Sequence, residues 1–199
     1  MSQSIEIEFK NLLHVEEFNK IMNHFQFSQD HFVQQINHYF DTVNFDLKKH
    51  GCALRIREKN NSYEMTLKEP HSDGLLETNQ LLTATEAQDF LNGGPIKEGD
   101  VRSQISALGI DWTKLIYFGT LTTDRAEFPY QNGLLVLDKS SYLNTEDYEI
   151  EYEVINREQG EPIFLNLLSA LNIPVRQTKN KIQRFYEEKR RRLAQLRMD

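Results

Sequence analysis

Apolar and polar residues alternate with a period of two along much of the chain, the pattern of strands that bury one face. Ile5, Ile7 and Phe9 alternate with Glu6, Glu8 and Lys10. The alternation returns over residues 32–41, 53–58, 62–69 and 75–81, and again over 116–128, 134–138 and 148–155. Turn chemistry separates these runs: Lys49-His50-Gly51, Asn60-Asn61, Ser72-Asp73-Gly74 and Gln131-Asn132-Gly133. The Asn-Gly pair is a strong hairpin signal, because both residues tolerate positive φ. Helical spacing predicts helices over 15–25, over 85–91 with Thr85 as cap, and over 100–108, 162–171 and 179–196. Strands come in two runs with helices between them, which predicts an antiparallel α+β architecture rather than a parallel sheet. Residues 92–115 blur the boundary, and the two strand groups read as halves of one sheet.

Composition narrows the class. A chain of 199 residues is read as a single domain, 1–199, long enough to bury a substantial core. Nine Gly and five Pro leave no room for a long disordered linker. No stretch approaches the roughly 20 apolar residues that span a bilayer, so no membrane is expected. The opening residues carry no basic region followed by an apolar run, so no secretory leader is expected. The single cysteine, Cys52, can form neither an internal disulfide nor a Cys-based zinc site. The chain has no internal repeat and no glycine-rich phosphate loop, which excludes a P-loop nucleotide enzyme. The reading is a soluble, cytoplasmic globular protein, its oligomeric state left open with a homodimer included.

The formal net charge of -7 hides an asymmetry. Residues 176–199 hold nine of the 23 basic residues and three acidic ones. Most of this stretch reads as the last turns of a helix, Glu187-Glu188-Lys189-Arg190-Arg191-Arg192, with acids ahead of bases as the helix dipole prefers. The acidic remainder would repel a polyanion, so nucleic acid is disfavoured as a partner.

More informative is how the polar strand faces sort by sign. Arg55 and Arg57 share one face of their strand, with Leu54 and Ile56 on the other. Glu64, Thr66 and Lys68 alternate with Tyr63, Met65 and Leu67. Glu149, Glu151 and Glu153 alternate with Tyr148, Ile150, Tyr152 and Val154. Taken singly, each charged face reads as a solvent face, where repulsion is screened. Taken together, they suggest a second reading. Carboxylate oxygens hold Mg²⁺ and Mn²⁺, and arginine pairs offer bidentate donors to phosphate. A sheet curled with these faces inward is a barrel with a charged interior, and about eight strands enclose one small ligand. Such a cavity suits a polyphosphate with its metal.

At this point the residues resemble a family. Glu6-Ile7-Glu8-Phe9-Lys10 is similar to the E-x-E-x-K signature of the CYTH superfamily, the triphosphate tunnel metalloenzymes. The other landmarks follow in order: Arg55 and Arg57, Lys68, Glu77, Arg125, the pair Leu137-Asp138, and the E-x-E of Glu149 and Glu151. Asn180-Lys181-Ile182-Gln183-Arg184-Phe185 resembles the family's closing S-K-x-x-R segment. The resemblance implies a closed antiparallel eight-stranded β-barrel, a tunnel with peripheral helices. It implies metal-dependent hydrolysis of a triphosphate, inorganic triphosphate first among the candidates. The alternatives are a class IV-type adenylyl cyclase, a thiamine triphosphatase, and a non-catalytic polyphosphate or nucleotide sensor. It implies Mg²⁺ or Mn²⁺ held by Glu6, Glu8, Asp138, Glu149 and Glu151, with Glu151 and Glu153 as the other pairing on the last strand. It implies phosphate contacts from Lys10, Arg55, Arg57, Lys68, Arg125, Lys181 and Arg184, with Lys10, Arg57 and Lys68 catalytic. Thr78-Asn79 departs from relatives that carry a second acid after the position of Glu77.

The remaining chemistry-bearing residues are read as structural. The six histidines show no ligand-like spacing and are read as surface residues. Cys52 lacks a basic neighbour in sequence, so it is not read as a nucleophile. Trp112 is read as packing. Val15, Phe18, Ile21, Met22 and Phe25 form a helical stripe read as core.

Overall fold

The computed structural model describes residues 2–195. Eight strands carry the architecture: β1 (Ser2–Leu13), β2 (Val33–Thr42), β3 (Ala53–Lys59), β4 (Ser62–Pro70), β5 (Leu75–Leu82), β6 (Leu115–Tyr130), β7 (Gly133–Tyr142) and β8 (Thr145–Val154). They close into an antiparallel barrel in the order β1-β5-β4-β3-β2-β6-β7-β8. Six helices accompany them: α1 (Val15–His24), α2 (Asp46–Lys49), α3 (Ala84–Leu91), α4 (Asp100–Ala107), α5 (Arg157–Ala170) and α6 (Lys181–Gln195). The eight strands are those the alternation predicts, the longer helices are those the helical spacing predicts, and α2 is an addition. The final residue of the helix predicted over 179–196 lies outside the described residues.

The chain divides into two compact units. The first holds the residues up to Ile7 together with Gln34–Thr120, and the second holds Glu8–Val33 together with the chain from Leu121 onward. Each has its own apolar cluster. In the first, Phe40, Leu54, Ile56, Met65 and Leu67 from the strands pack with Ala87, Phe90, Val101 and Ile105 from the helices. In the second, Leu135, Leu137, Ile150 and Tyr152 pack with Phe18, Ile21, Phe164, Leu167 and Leu168. Burying one face of each strand in this way leaves its alternate residues together on the opposite face.

Local chemistry sets the element ends, and several differ from the sequence reading. The cap of α3 is Thr83, not Thr85, because the Thr83 hydroxyl accepts from Glu86 N at 3.3 Å while the Glu86 carboxylate accepts from Thr83 N at 2.8 Å. That is a capping box, and it places Thr85 inside the helix. Helix α5 starts at Arg157, ahead of Pro162, because Asn156 Oδ1 accepts from Gln159 N at 2.9 Å and caps it there. At the β6–β7 hairpin the left-handed residue is Gln131, with φ 49°. Gly133 is already in β7, where a Cβ would lie 2.5 Å from the Glu153 carbonyl oxygen. Close approach, rather than turn geometry, is what requires glycine there. Within the predicted α1 stripe, Phe18 and Ile21 are buried while Val15 is exposed. Five histidines are exposed, but His38 is half-buried and pairs with the Thr120 hydroxyl at 2.7 Å. Among the described residues no helix is long and apolar enough to cross a membrane.

Candidate functional site

The faces that an open sheet would give to water are buried in this fold. Asp138, Glu149 and Glu151 are 0%, 1% and 6% exposed, values that carboxylates reach only with partners.

In the second unit the partners are explicit. Register aligns Arg125 with Asp138 across β6 and β7, and Asp138 with Glu149 across β7 and β8. Arg125 makes a bidentate pair with Asp138, Nε to Oδ1 at 2.8 Å and Nη2 to Oδ2 at 2.6 Å, and reaches Glu151 Oε2 at 2.7 Å. Lys181, at the first turn of α6, brings its ammonium to 2.8 Å from Asp138, 3.3 Å from Glu149 and 2.6 Å from Glu151. One turn on, Arg184 binds Glu149 at 2.5 Å and Asp147 at 2.9 Å. The spacing of Lys181 and Arg184 puts both on one face of α6. On β1, Lys10 pairs with Glu8 and donates to Asn180 Oδ1 at 2.5 Å. Glu153, the outer member of the acidic run, is more exposed and lies 3.9 Å from Arg125. The cluster thus gathers Glu149 and Glu151 with Asp138, and leaves Glu153 at its margin.

These charges set one another's protonation. Burial alone would drive the proton from Lys181, but Asp138, Glu149 and Glu151 outweigh it and hold the ammonium well above its ordinary range. Burial likewise works against Arg125, and Asp138 with Glu151 overrides it. Burial pushes Glu149 up to about 7, with Lys181 acting against the shift. Glu151 is also penalised by burial, but Lys181 and Arg125 hold its carboxyl well below the usual range.

The first unit holds a second charged face. Lys68 donates to Glu6 at 2.5 Å and lies 2.6 Å from Glu77. Burial raises Glu77, but the charges of Lys68 and Arg55 bring it below its ordinary value. Arg57 Nε donates to Asn37 Oδ1 at 3.2 Å, and Arg55 lies beside it on β3, aligned with Tyr39 and Thr66. Any side chain at Gly74 would begin 2.1 Å from the Glu6 carbonyl oxygen, so glycine lets the β4–β5 turn pass Glu6.

All twelve residues singled out by the sequence therefore sit in one or other charged cluster. Sequence reasoning missed Asp147, whose signal was present as one further period-2 step ahead of Glu149. It also missed Asn37, Asn180 as the partner of Lys10, and the strap before α6. There Arg176 makes two 2.8 Å bonds to Glu17, and Arg176 N donates to Asn11 Oδ1 at 2.6 Å.

Whether the acids suit a divalent cation can be asked of their chemistry. Among the described residues no group of three or more His, Cys, Asp and Glu side chains is arranged to hold a metal ion. The acids meet around the Lys181 ammonium instead. The donor set is nonetheless carboxylate oxygen, the kind hard divalent cations take. Glu149 Oε1 is buried with no hydrogen-bond partner. The residue types fit such an ion, while their arrangement is that of an ion-pair network around Lys181.

Comparison with known proteins agrees with this fold. The family model described as CYTH domain matches residues 4–186. YjbK of Bacillus subtilis (strain 168), named as a candidate triphosphatase, is 52% identical over 191 residues, covering 96% of this chain and 99% of that one. A crystal structure from Bacillus halodurans, named as a candidate adenylate cyclase, is 44% identical with a TM-score of 0.91, covering 94% of this chain and 100% of that one. HpAC1 from Hippeastrum, described as an adenylyl cyclase candidate with a dominant triphosphatase activity, shares the fold at 22% identity and a TM-score of 0.78, covering 92% and 96%.

Proposed function

Because the chain belongs to the CYTH domain family, we propose that it is a divalent-metal-dependent hydrolase of triphosphates, with inorganic triphosphate as substrate. The observation that carries this reading is the buried cluster of Asp138, Glu149 and Glu151 around Lys181, flanked by Arg125 and Arg184. Interleaved acids and bases at such depth suit a ligand that brings both signs, a polyphosphate with its counter-ion. The 52% identity to a protein named as a candidate triphosphatase supports the same activity.

In this reading Lys10, Arg55, Arg57, Lys68, Arg125, Lys181 and Arg184 contact phosphoryl oxygens, and Lys10, Arg57 and Lys68 neutralise the charge that develops as the terminal bond breaks. Glu6, Glu8, Asp138, Glu149 and Glu151 would hold Mg²⁺ or Mn²⁺, with Glu149 and Glu151 preferred over Glu151 and Glu153 because of their burial beside Asp138. When bound, such an ion polarises phosphoryl oxygens as a Lewis acid. Water serves as the nucleophile, and Cys52 is excluded from that role: it is buried, and burial pushes its thiol up to about 11. The cytoplasm is the proposed location.

The test is phosphate release from inorganic triphosphate, ATP and thiamine triphosphate with Mg²⁺, with Mn²⁺ and with chelator. Metal-dependent release from inorganic triphosphate is expected. Replacing Lys10 or Arg57 by Ala is expected to abolish turnover without unfolding the protein, and unchanged turnover in both variants would remove these residues from the site. The identity to a candidate adenylate cyclase favours a second reading. Cyclic AMP from ATP in the same assay would establish it, while triphosphate binding without any product would make the protein a sensor.

A further inference from the structure

A buried polar atom without a partner opposes folding, so each one calls for a physical reason. In the first unit three of them fall on one line across the sheet. Arg55 on β3 is aligned with Thr66 on β4, and Thr66 with Asn79 on β5. Residues aligned in this way project to the same face. Arg55 Nε, Thr66 Oγ1 and Asn79 Oδ1 are each buried with no hydrogen-bond partner among the described residues. Charged lines flank them, Asn37–Arg57–Glu64 on one side and Lys68–Glu77 on the other.

One residue along β5, Thr78 supplies the contrast. It is as deeply buried as Thr66, 0% against 1% exposed, but it points to the opposite face. Its hydroxyl accepts a hydrogen bond from Gln3 Nε2 at 3.0 Å. A buried threonine in this sheet is thus given a partner where folding alone is at stake.

We infer that Thr66 and Asn79 are substrate-binding residues, which with Arg55 form a hydrogen-bonding line for a phosphoryl group. The inference rests on the triphosphate reading of the same site. The guanidinium Nε and the threonine hydroxyl can donate to phosphoryl oxygens. The Asn79 amide group lies where it helps to lower the Glu77 carboxyl, so its N–H side is turned to that acid. Its carbonyl oxygen is therefore an acceptor, suited to a protonated phosphoryl oxygen or to a water hydrogen-bonded to the phosphate. A line with both capacities complements the lysines and arginines, which can only donate.

The consequence is a reversal of sign between stability and binding. Thr66→Val keeps the volume and removes a hydroxyl that lacks a partner. It is expected to raise the melting temperature of the ligand-free protein by about 2 °C. It is also expected to weaken inorganic triphosphate binding about tenfold, measured by calorimetry. Thr66→Ser retains the hydroxyl and is expected to retain binding. Thr78→Val removes a partnered hydroxyl, so it is expected to lower the melting temperature and leave binding unchanged. Wild-type affinity in Thr66→Val overturns the inference. So does a loss of both stability and binding in Thr66→Val and Thr66→Ser alike, which would mark damaged packing. If the wild-type protein itself fails to bind triphosphate, the proposed function falls first and this inference with it; the wild-type titration separates that case from failure of the Thr66 line alone.

Discussion

The two charged clusters solve the same problem differently. In the second unit the acids outnumber the bases that reach them: Asp138, Asp147, Glu149 and Glu151 share Arg125, Lys181 and Arg184. Their network is nearly closed, with bidentate geometry at Arg125 and three acids on one ammonium. In the first unit Arg55, Arg57 and Lys68 stand against Glu6, Glu64 and Glu77, a more even balance, and several polar atoms stay unpartnered. The difference teaches that burial of charge alone does not define a site's role. An acid-rich network built around its own cations is organised before any ligand arrives, at high cost if one member is lost. A face whose Arg55 Nε and Thr66 Oγ1 remain open has donors left to offer an anion. Under the proposed function, the closed network supplies the metal-binding acids Asp138, Glu149 and Glu151, and the open face adds Arg55, Arg57 and Lys68 as phosphate contacts.

The largest expected effect comes from breaking the closed network. Lys181→Met would leave Asp138, Glu149 and Glu151 buried without the ammonium they share, with a loss of about 3–5 kcal/mol in urea denaturation. A loss below about 1 kcal/mol would place this cluster in the class of exposed pairs and remove the contrast. The matching change in the first unit is Lys68→Met. Lys68 is 20% exposed and Glu77 retains the charge of Arg55, so a smaller loss of about 2 kcal/mol is expected. Equal losses in the two variants would show that the open and closed networks are equally dependent on their lysines.

The comparison also explains how much could be read from the chain. Strands announce themselves by a local rule, alternation, and the sign of each polar face is visible in three or four residues, as at Glu149, Glu151 and Glu153. Family landmarks then singled out particular residues among them. What stayed hidden depends on residues far apart in sequence. Thr66 and Asn79 look like ordinary polar strand positions until register aligns them with Arg55. Arg176 and Glu17 are 159 positions apart, and nothing local marks them as a pair. The acidic run was also ambiguous as a solvent face, because burial follows from barrel closure, which alternation does not encode. Asp147 was a different kind of miss, since its period-2 step was in plain view.

The Arg176–Glu17 clamp gives a third, milder test. Hydrogen bonding by Arg176 holds the Glu17 carboxyl below its ordinary value of 4.5. An acid depressed in this way adds stability that is present above its unfolded value and lost as pH falls through its folded value. Glu17→Gln is therefore expected to cost about 1 kcal/mol at neutral pH. It should also flatten the fall of melting temperature below pH 4.5, where the wild-type protein loses this contribution. A variant that falls as steeply as wild type on acidification would show that Arg176 is held by Asn11 Oδ1 and by the Leu12 carbonyl, to which its guanidinium donates at 2.9 Å, without help from the ion pair.

Cys52 offers the smallest perturbation, because it can be read without a mutation. It lies in the apolar cluster of the first unit, and burial, aided by the charges of Glu69 and Asp41, pushes its thiol up to about 11 from an ordinary 9.0. A thiol raised that far holds, at pH 8, about a hundredth of the thiolate that it would show in the unfolded chain. Alkylation of the native protein should be slower by at least that factor, and every labelling event then reports an opening of the first unit. Lys68→Met acts within that unit and is expected to speed labelling about tenfold or more, following its loss of stability. Glu17→Gln acts in the second unit and is expected to leave the rate close to wild type. If both variants accelerate labelling in proportion to their stability losses, the two clusters unfold as one cooperative body, and the contrast between them belongs to ligand chemistry alone.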